Sequence, residues 1–424
     1  MSLADIVAVS PELDAWLRET RRMIHVNPEL MFEEKATSEL VQKHLTEVGV
    51  EFKAGVGGDG RSLMLSEEEL KKAGITPGPT TGGTGVLGII RGTRGQGPGK
   101  TVLLRADMDA LPLDEENDVE YKSKNPGKMH ACGHDLHTTV LMGVAEILER
   151  NKHRFDGTVK LMFQPGEEGG AGALAMIEDG ILEDPPVDAA FALHVGVEHG
   201  PGHVSLNAGP RTAAADFFEI HVHGKGGHGA YPQRAVDTVY VASQIVVALQ
   251  EIVSREVAAG ESAVLSVTTI HSGTATNIIP ERATLSGTVR TYNEDVRNHI
   301  QKRMSEIASG VAAAFRAEAV VNYQRGYPAM HCDPEAVALA REVCEELLGP
   351  ENVHQGEPSM AGEDMAYVAA RVPTCMYSLG VKNEERGIIY PPHHPRFDAD
   401  EDAIAVGVRT MAGIALRFLG ADES

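Results

Sequence analysis

The sequence predicts an α/β fold with a largely parallel sheet, into which a separate α+β unit is inserted. From about residue 86 to residue 196, short β-rich apolar runs alternate with helical segments, as in parallel strands joined by helices. Between about residues 213 and 325 the order changes to a strand, a long helix, two strands and another helix. The α/β pattern then resumes, so we predict one domain from residues 1–212 and 326–424 and an inserted domain at 213–325.

The first elements are predicted to be two helices and an irregular segment. Ser10, Pro11 and Glu12 supply an N-cap, a first-turn proline and an acid, and apolar residues then recur at helical spacing. A second helix is predicted near residues 33–48. The Gly- and Pro-rich stretch 58–81 indicates an insertion or mobile surface segment around one acidic helical turn.

The remaining elements follow from hydrophobic patterning. In the larger domain, strands are predicted for VLGII, TVLLRA, VKLMF and AAFALHV, and helices for LHTTVLMGVAEILER and AGALAMIEDGIL. In the inserted unit, strands are predicted for FFEIHVHG, AVLSVTTI and ATLSGTVRTY, and helices for VDTVYVASQIVVALQEIVSR and VRNHIQKRMSEIASGVAAAF. The chain returns to the first domain with the helix PEAVALAREVCEELLG, the strand TCMYSLG and a terminal helix.

Composition restricts the possible partners and compartment. A length of 424 residues exceeds what one core usually organises, and a hydrophobic content of 42% suits a folded globular protein. The formal charge of −23 argues against nucleic-acid binding, which depends on clustered Lys and Arg. We find no signal peptide, no apolar run of membrane-spanning length and no disulfide framework among the four cysteines. We therefore expect a reduced, cytoplasmic protein with neither a nucleic-acid nor a membrane partner.

Potential metal ligands follow several predicted strands. Asp107 and Asp109 come after TVLLRA, Glu167 and Glu168 after VKLMF, and His194 at the end of AAFAL. In open α/β sheets the reactive crevice lies beyond the carboxyl ends of the strands, so these side chains are expected to meet there.

The segment HACGHDLH adds three histidines, a cysteine and an aspartate. A structural zinc site normally needs four protein ligands and paired cysteines, but this segment has one cysteine. Cys132 and His134 are two apart, so an extended backbone would direct both side chains to one side. We favour a metal site over a buried hydrogen-bonded cluster.

The adjacent acids Glu167 and Glu168 are expected to have different roles. On extended backbone their side chains would diverge, and two carboxylates in one place would repel each other. One could ligate a metal while the other takes a proton from water that the metal activates. The alternative is two solvated acids in a Gly-rich turn.

Other motifs are weaker. Residues 83–88 match G-x-G-x-x-G but precede a strand, so they fail the structural context of a dinucleotide site. We find neither G-x-S-x-G nor a P-loop. His228 is expected in a flexible loop, while Asn277 and Arg290, taken alone, suggest a turn residue and a strand surface charge.

Eight segments together resemble a known family. They are RADMDALP, MHACGHDLHTTVLMGVA, FQPGEEGGAGA, the His194 segment, GKGGHGAYPQRAVD, NIIPERATLSGTVRT, MAGEDMAYV and HHPRFDADEDA. In this order they resemble the hippurate hydrolase and auxin-conjugate amidohydrolase branch of the aminoacylase/carboxypeptidase metallohydrolases. The resemblance covers almost the whole chain, except residues 58–81. It implies a di-metal aminopeptidase-like catalytic domain with an inserted ferredoxin-like lid or dimerisation domain.

The resemblance also implies roles for individual residues in the larger domain. The implied metal ligands are Cys132, His134, Glu168, His194 and His393. His393 is preferred to His394 because the family pattern is H-x-P. Glu167 matches the general base, and Asp107 matches the acid behind the first metal, although Arg105 stands where more distant relatives have a ligand histidine.

For the inserted domain, the resemblance implies that His228 stabilises the oxyanion, often from the partner subunit. Asn277 and Arg290 match positions that hold the substrate's carboxylate or carbonyl. The alternative is that this domain serves only for dimerisation.

The implied activity is hydrolysis of N-acyl-L-amino acids with two divalent cations, for which zinc, manganese, cobalt and nickel all suit the ligands. The protein would be a homodimer or homotetramer. Alternatives are a dipeptidase or carboxypeptidase, an N-acetyldiaminopimelate deacetylase, or a non-catalytic binding protein. A non-catalytic binding protein would be expected to lack the general base, but Glu167 is present.

Overall fold

The computed structural model describes residues 2–72, 74–76, 78–95, 97 and 99–421. The chain divides into two compact units. The first contains residues 1–211, 331–357 and 367–424, and the second contains residues 212–330 and 358–366. The predicted boundaries did not place the short segment 358–366 with the inserted unit.

Helices and strands occur along the whole described chain. The α-helices are α1 (Leu3–Ile6), α2 (Pro11–Val26), α3 (Lys35–Val48), α4 (Arg61–Met64), α5 (Glu67–Lys72), α6 (His134–Arg150), α7 (Glu167–Gly170), α8 (Gly172–Glu178), α9 (Thr238–Glu251), α10 (Glu294–Ala314), α11 (Pro334–Leu348), α12 (Ala366–Ala369) and α13 (Asp402–Phe418). The strands are β1 (Glu51–Val56), β2 (Gly85–Arg91), β3 (Thr101–Asp107), β4 (Thr158–Gln164), β5 (Ala189–Gly196), β6 (Val204–Leu206), β7 (Gly209–Thr212), β8 (Ala214–His223), β9 (Gly227–His228), β10 (Ala263–Ser272), β11 (Ile278–Ile279), β12 (Arg282–Thr291), β13 (Glu318–Gln324), β14 (Met330–Cys332), β15 (Val353–Gln355) and β16 (Thr374–Gly380).

The first unit is built on an eight-stranded sheet in the order β1-β2-β4-β3-β5-β16-β6-β15. The central pairs β4–β3, β3–β5 and β5–β16 are parallel, whereas β1–β2, β2–β4 and β16–β6 are antiparallel. Every residue of β3 and β4 is buried, as expected of central strands covered by other elements, and α6 packs on both. The predicted α/β fold with a mixed, largely parallel sheet is therefore confirmed.

The two predicted N-terminal helices form as α2 and α3, and the short helix α1 before them was not predicted. Ser10 caps α2, because its hydroxyl accepts a hydrogen bond from the Leu13 backbone N–H at 3.2 Å, and Pro11 occupies the first turn. The segment 58–81 contains two short helices, α4 and α5, where the sequence indicated one helical turn. Its described part is held by Asp59, whose N–H donates to Pro79 O at 2.7 Å.

The second unit has a four-stranded antiparallel sheet in the order β10-β12-β8-β13, on which α9 and α10 pack. The chain order is β8, α9, β10, β12, α10, β13, which is the ferredoxin-like arrangement that the resemblance implied. Hydrophobic patterning did not predict β13, since this edge strand has no fully buried residue. Among the described residues, no helix is both long and apolar enough to cross a membrane.

Candidate active site

Most of the predicted metal ligands gather at the carboxyl ends of the central strands in the first unit. Among the described residues, five groups of three have potential ligand atoms within 4.8 Å of one another, and two of these groups contain Cys132. The first group is Cys132, His134 and His194; the second is Cys132, Glu168 and His393. This arrangement fits two cations that share one thiolate.

Cys132 and His134 meet through a turn, and the expectation of an extended backbone was wrong. Gly133 between them has φ +84°, in the left-handed region, and His134 is the first residue of α6. A Cβ at Gly133 would lie 2.5 Å from a methyl carbon of Val195, so both the backbone angle and the space require glycine.

In the first group, hydrogen bonds fix which nitrogen of each histidine faces the cluster. His194 Nδ1 donates a hydrogen bond to the Val195 carbonyl oxygen at 2.9 Å, and His194 Nε2 lies 3.4 Å from Cys132 Sγ. His134 Nδ1 likewise donates to the carbonyl oxygen of Asp109 at 2.9 Å, which leaves its Nε2 for a cation. Burial lowers the pKa of His194 to about 3, so the ring is neutral, which is the form in which a histidine can bind a metal.

In the second group, His393 Nε2 lies 3.3 Å from Glu168 Oε1, which is 3.9 Å from His134 Nε2. His393 has φ +67°, and its backbone N–H donates to the carbonyl oxygen of Ala131 at 2.7 Å. The neighbouring His394 stacks on Tyr390, with ring centroids 4.4 Å apart. The structure therefore directs His393, and not His394, to the cluster.

Glu167 and Glu168 lie in one short turn, so the expectation of an extended backbone was wrong here too. Glu168 has φ −70° and ψ 63°, which is not helical although it lies within α7. Asp109 holds this turn, because its Oδ1 accepts from the Glu167 N–H at 3.0 Å and its Oδ2 from the Glu168 N–H at 2.9 Å. Ligand atoms of Glu167, Glu168 and His134 also lie within 4.8 Å of one another.

Asp107 lies on the Nε2 side of His134 and is oriented by two buried partners, His137 and Arg105. His137 Nε2 accepts a hydrogen bond from the Val195 N–H at 3.0 Å, so the proton of this ring is on Nδ1. His137 Nδ1 therefore donates a hydrogen bond to Asp107 Oδ1 at 2.6 Å. Asp107 Oδ2 pairs with Arg105 at 2.7 Å and lies 3.6 Å from His134 Nε2. Although burial opposes ionisation, the Arg105 charge holds the pKa of Asp107 well below its usual range.

The sequence named Asp109 as a potential metal ligand and gave His137 no role of its own, but in the structure both residues orient the side chains and backbone around the cluster. Asp109 orients His134 and the Glu167–Glu168 turn, while His137 uses both ring nitrogens in hydrogen bonds and so supports Asp107. The available signal for Asp109 was its position two residues after Asp107 at a strand end.

The donor set fits two divalent cations. Within the described part of the chain, the buried His134 Nε2 has no hydrogen-bond partner. Buried polar atoms normally have partners, and a cation beside His134 Nε2 would account for this one. A thiol, imidazoles and a carboxylate are ligands that zinc, manganese, cobalt and nickel accept.

The three predicted residues of the inserted domain all lie in the second unit. His228 is in the short strand β9, paired with Ile278 of β11, where the sequence indicated a flexible loop. The Gly229 N–H donates to the Asn277 carbonyl oxygen at 2.8 Å, so Asn277 flanks the same exposed ribbon. Arg290 is on β12, half-buried, with its guanidinium 5.6 Å from the ring centroid of Phe217. The structure thus brings His228 and Asn277 into one ribbon that does not include Arg290.

Comparisons with known proteins agree with this geometry. Residues 103–417 match peptidase family M20/M25/M40. The chain is 39% identical over 410 residues to thermostable carboxypeptidase 2 of Saccharolobus solfataricus, covering 96% of each protein. It is 37% identical over 412 residues to N-acetyl-L-cysteine deacetylase of Bacillus subtilis, covering 97% of this chain and 90% of the deacetylase.

A solved structure is similar over nearly the whole chain. It is the Bacillus subtilis YXEP protein, described as a dinuclear metal binding peptidase from the M20 family. The TM-score is 0.80 at 30% sequence identity, and the match covers 97% of this chain and 99% of that one. The chain therefore belongs to peptidase family M20/M25/M40 and is a metallohydrolase.

Proposed function

We propose that this protein hydrolyses the amide bond of N-acyl-L-amino acids and releases a carboxylic acid and a free amino acid. The observation that carries this proposal is the pair of ligand groups sharing Cys132, with Glu167 on the same turn as Glu168. In this assignment the two cations are held by Cys132, His134, Glu168, His194 and His393. The deacetylase relative acts on an acylated amino acid by its name, which supports the substrate class.

Glu167 is the proposed general base. When bound, the cations would polarise the amide carbonyl and lower the pKa of water. Glu167 is 7% exposed and held at its backbone by Asp109, so its carboxylate is positioned to take a proton from water and return it to the leaving amine. Asp107 would support this centre from the Nε2 side of His134, because its Oδ2 lies 3.6 Å from His134 Nε2.

The decisive experiment is metal analysis of the purified protein, followed by hydrolysis assays on a panel of N-acyl amino acids with chelator and metal add-back. Glu167→Gln should retain both cations and lose hydrolysis, whereas Glu168→Gln should lose cation affinity as well. If Glu167→Gln hydrolyses the panel at the wild-type rate, the proposed mechanism is wrong.

A carboxypeptidase or dipeptidase is a second candidate, which the 39% identity to thermostable carboxypeptidase 2 favours. An N-acetyldiaminopimelate deacetylase would use the same centre. Including dipeptides and N-acetyldiaminopimelate in the panel separates these activities. A requirement for a free α-amino group on the substrate would support peptidase action over N-acyl hydrolysis.

The second unit is proposed to complete the substrate site within a homodimer or homotetramer. His228 would stabilise the oxyanion, and Asn277 and Arg290 would hold the substrate's carboxylate or carbonyl. Support for self-association comes from the edge strand β10, which exposes Ile270, and from α9, where Val247 is 69% exposed. The four buried free cysteines are consistent with a reduced, cytoplasmic setting.

Mixing His228→Ala and Glu167→Gln subunits tests whether His228 acts across the dimer. If it does, some mixed dimers contain one intact site and activity returns. Absence of rescue in mixed dimers, verified by mass, would contradict a shared site.

A further inference from the structure

The backbone of the Glu167–Glu168 turn is not a regular helix, and its N–H groups donate to side chains. Gly166 has φ +60° and Ala171 has φ +53°, both in the left-handed region. Three successive N–H groups, those of Gly166, Glu167 and Glu168, donate to buried carboxylates. Asp109 accepts from Glu167 and Glu168, and a different residue accepts from Gly166.

That residue is Glu34, which is fully buried at the N-cap of α3. Its Oε1 accepts from the Gly166 N–H at 2.9 Å, so it does not cap its own helix. Its Oε2 contacts the Thr84 hydroxyl at 2.6 Å. Glu34 is 132 residues from Gly166 in the chain and 50 from Thr84, so the contact depends on the fold.

The glycines around Thr84 explain why its hydroxyl reaches Glu34. A Cβ at Gly83 would lie 2.6 Å from the Gly57 carbonyl oxygen, and a Cβ at Gly85 would lie 2.5 Å from that of Val56. Residues 83–88, which match G-x-G-x-x-G, therefore allow close packing against the chain at Val56 and Gly57. This close packing brings the Thr84 hydroxyl within hydrogen-bond distance of Glu34 Oε2.

Phe32 restricts the same turn from the other side. A Cβ at Gly166 would lie 2.6 Å from the nearest carbon of the Phe32 ring, and a Cβ at Gly170 would lie 2.7 Å from it. The backbone at Gly166 is thus held by one hydrogen bond and by close packing, and both come from residues just before α3.

We propose that Glu34 is a positioning residue for Glu167 and Glu168, and that Thr84 orients Glu34. This proposal rests on the proposed function, because it assigns Glu168 to a cation and Glu167 to proton transfer. Glu34 is fully buried and acts through the Gly166 N–H, so it sets the direction in which the turn presents the two carboxylates. Outer-shell partners of this kind typically contribute about 10- to 100-fold in metal affinity or activity.

Glu34→Ala should lower kcat about 10- to 100-fold with KM changed less than about threefold, and weaken cation affinity by a similar factor. Glu34→Gln should restore most of the loss, because its amide oxygen can still accept from the Gly166 N–H. Glu33→Ala is the matched control, since the adjacent Glu33 is exposed and pairs with Lys128 at the surface. Cation affinity is measured by competition with a chelator, using Zn²⁺ or Mn²⁺ as the probe.

Amide hydrogen exchange of residues 166–171 provides a readout that does not depend on activity. Exchange should accelerate in Glu34→Ala and stay near wild type in Glu34→Gln. If Glu34→Ala does not fold, Thr84→Val tests the same contact against Thr84→Ser, which keeps the hydroxyl. We expect faster exchange and weaker cation binding in Thr84→Val only.

The two proposals can fail separately. If the wild type binds cations but hydrolyses nothing on the panel, the proposed function falls, while affinity and exchange still test Glu34. If Glu34→Ala, or Thr84→Val in its place, leaves exchange within about twofold and affinity unchanged, the positioning role is overturned.

Discussion

Two buried polar clusters meet at the start of α6, and adjacent residues belong to different ones. His134 belongs to the ligand cluster, whereas Asp135 belongs to a network of ion pairs. In that network Arg21 lies 2.7 Å from Asp135 and 2.8 Å from Asp398, and His25 lies 2.8 Å from Asp135. Opposite charges therefore alternate, and the network is stabilised without any added ion.

The ligand cluster is arranged differently. Cys132, His194, Glu168 and His393 place potential ligand atoms close to one another, and His134 Nε2 has no hydrogen-bond partner within the described residues. Burial of charge alone does not distinguish a metal site from a structural network. The two clusters differ in whether the protein's own groups neutralise one another. The stability of the ion-pair network should therefore depend on its own residues, whereas the stability of the ligand cluster should depend on added cations.

The largest expected effect is on the ion-pair network. Arg21→Met leaves Asp135 and Asp398 buried without their guanidinium, so the free energy of unfolding should fall by about 3–5 kcal/mol. Arg22→Met is the control, because Arg22 is 47% exposed and a pair with an exposed partner contributes about 0–1 kcal/mol. Denaturant unfolding of the metal-free proteins measures both. Equal losses in the two variants would break the distinction.

The second effect is on the ligand cluster. Cations should stabilise the wild type by about 2.7 kcal/mol at a concentration about 100 times the Kd, and chelation should remove this gain. Cys132→Ala should lose most of the cation-dependent gain because both ligand groups contain Cys132. Cys344→Ala is the matched control, since Cys344 is a buried free cysteine of α11. Equal cation-dependent gains in the Cys132→Ala and wild-type proteins would argue against a shared thiolate.

A smaller effect is the pH dependence of the ion-pair network. Burial and the Arg21 charge oppose protonation of His25, but Asp135 and Glu115 outweigh them and raise its pKa to about 9. The folded pKa lies above the unfolded value of 6.5, so the stabilisation is complete below pH 6.5 and is lost as pH rises through about 9. The difference in unfolding free energy between wild type and His25→Gln should therefore decrease by about 1–3 kcal/mol between about pH 6 and pH 10. Chelator-treated samples remove the cation contribution, and a difference that is constant with pH would contradict charged His25.

Hydrophobic periodicity predicted most of the long helices and strands, because the pattern of buried residues within a long segment can be read from that segment alone. It predicted β3, β4, β5, α6 and α13, but not the three-residue strands β6 and β15, which are too short to show a period. The resemblance supplied the ferredoxin-like arrangement, including the edge strand β13, which patterning had missed.

The sequence by itself determined the fold class, the family and the residue types that can bind cations, since these depend on local pattern and on side-chain chemistry. Only the tertiary structure decided how those residues are used. It showed that Gly133 turns the chain between Cys132 and His134, that His137 supports Asp107, and that Asp109 and Glu34 accept hydrogen bonds from the Glu167–Glu168 turn. These contacts join residues far apart in the chain, and packing of separate elements sets their distances, so no local pattern in the sequence could report them.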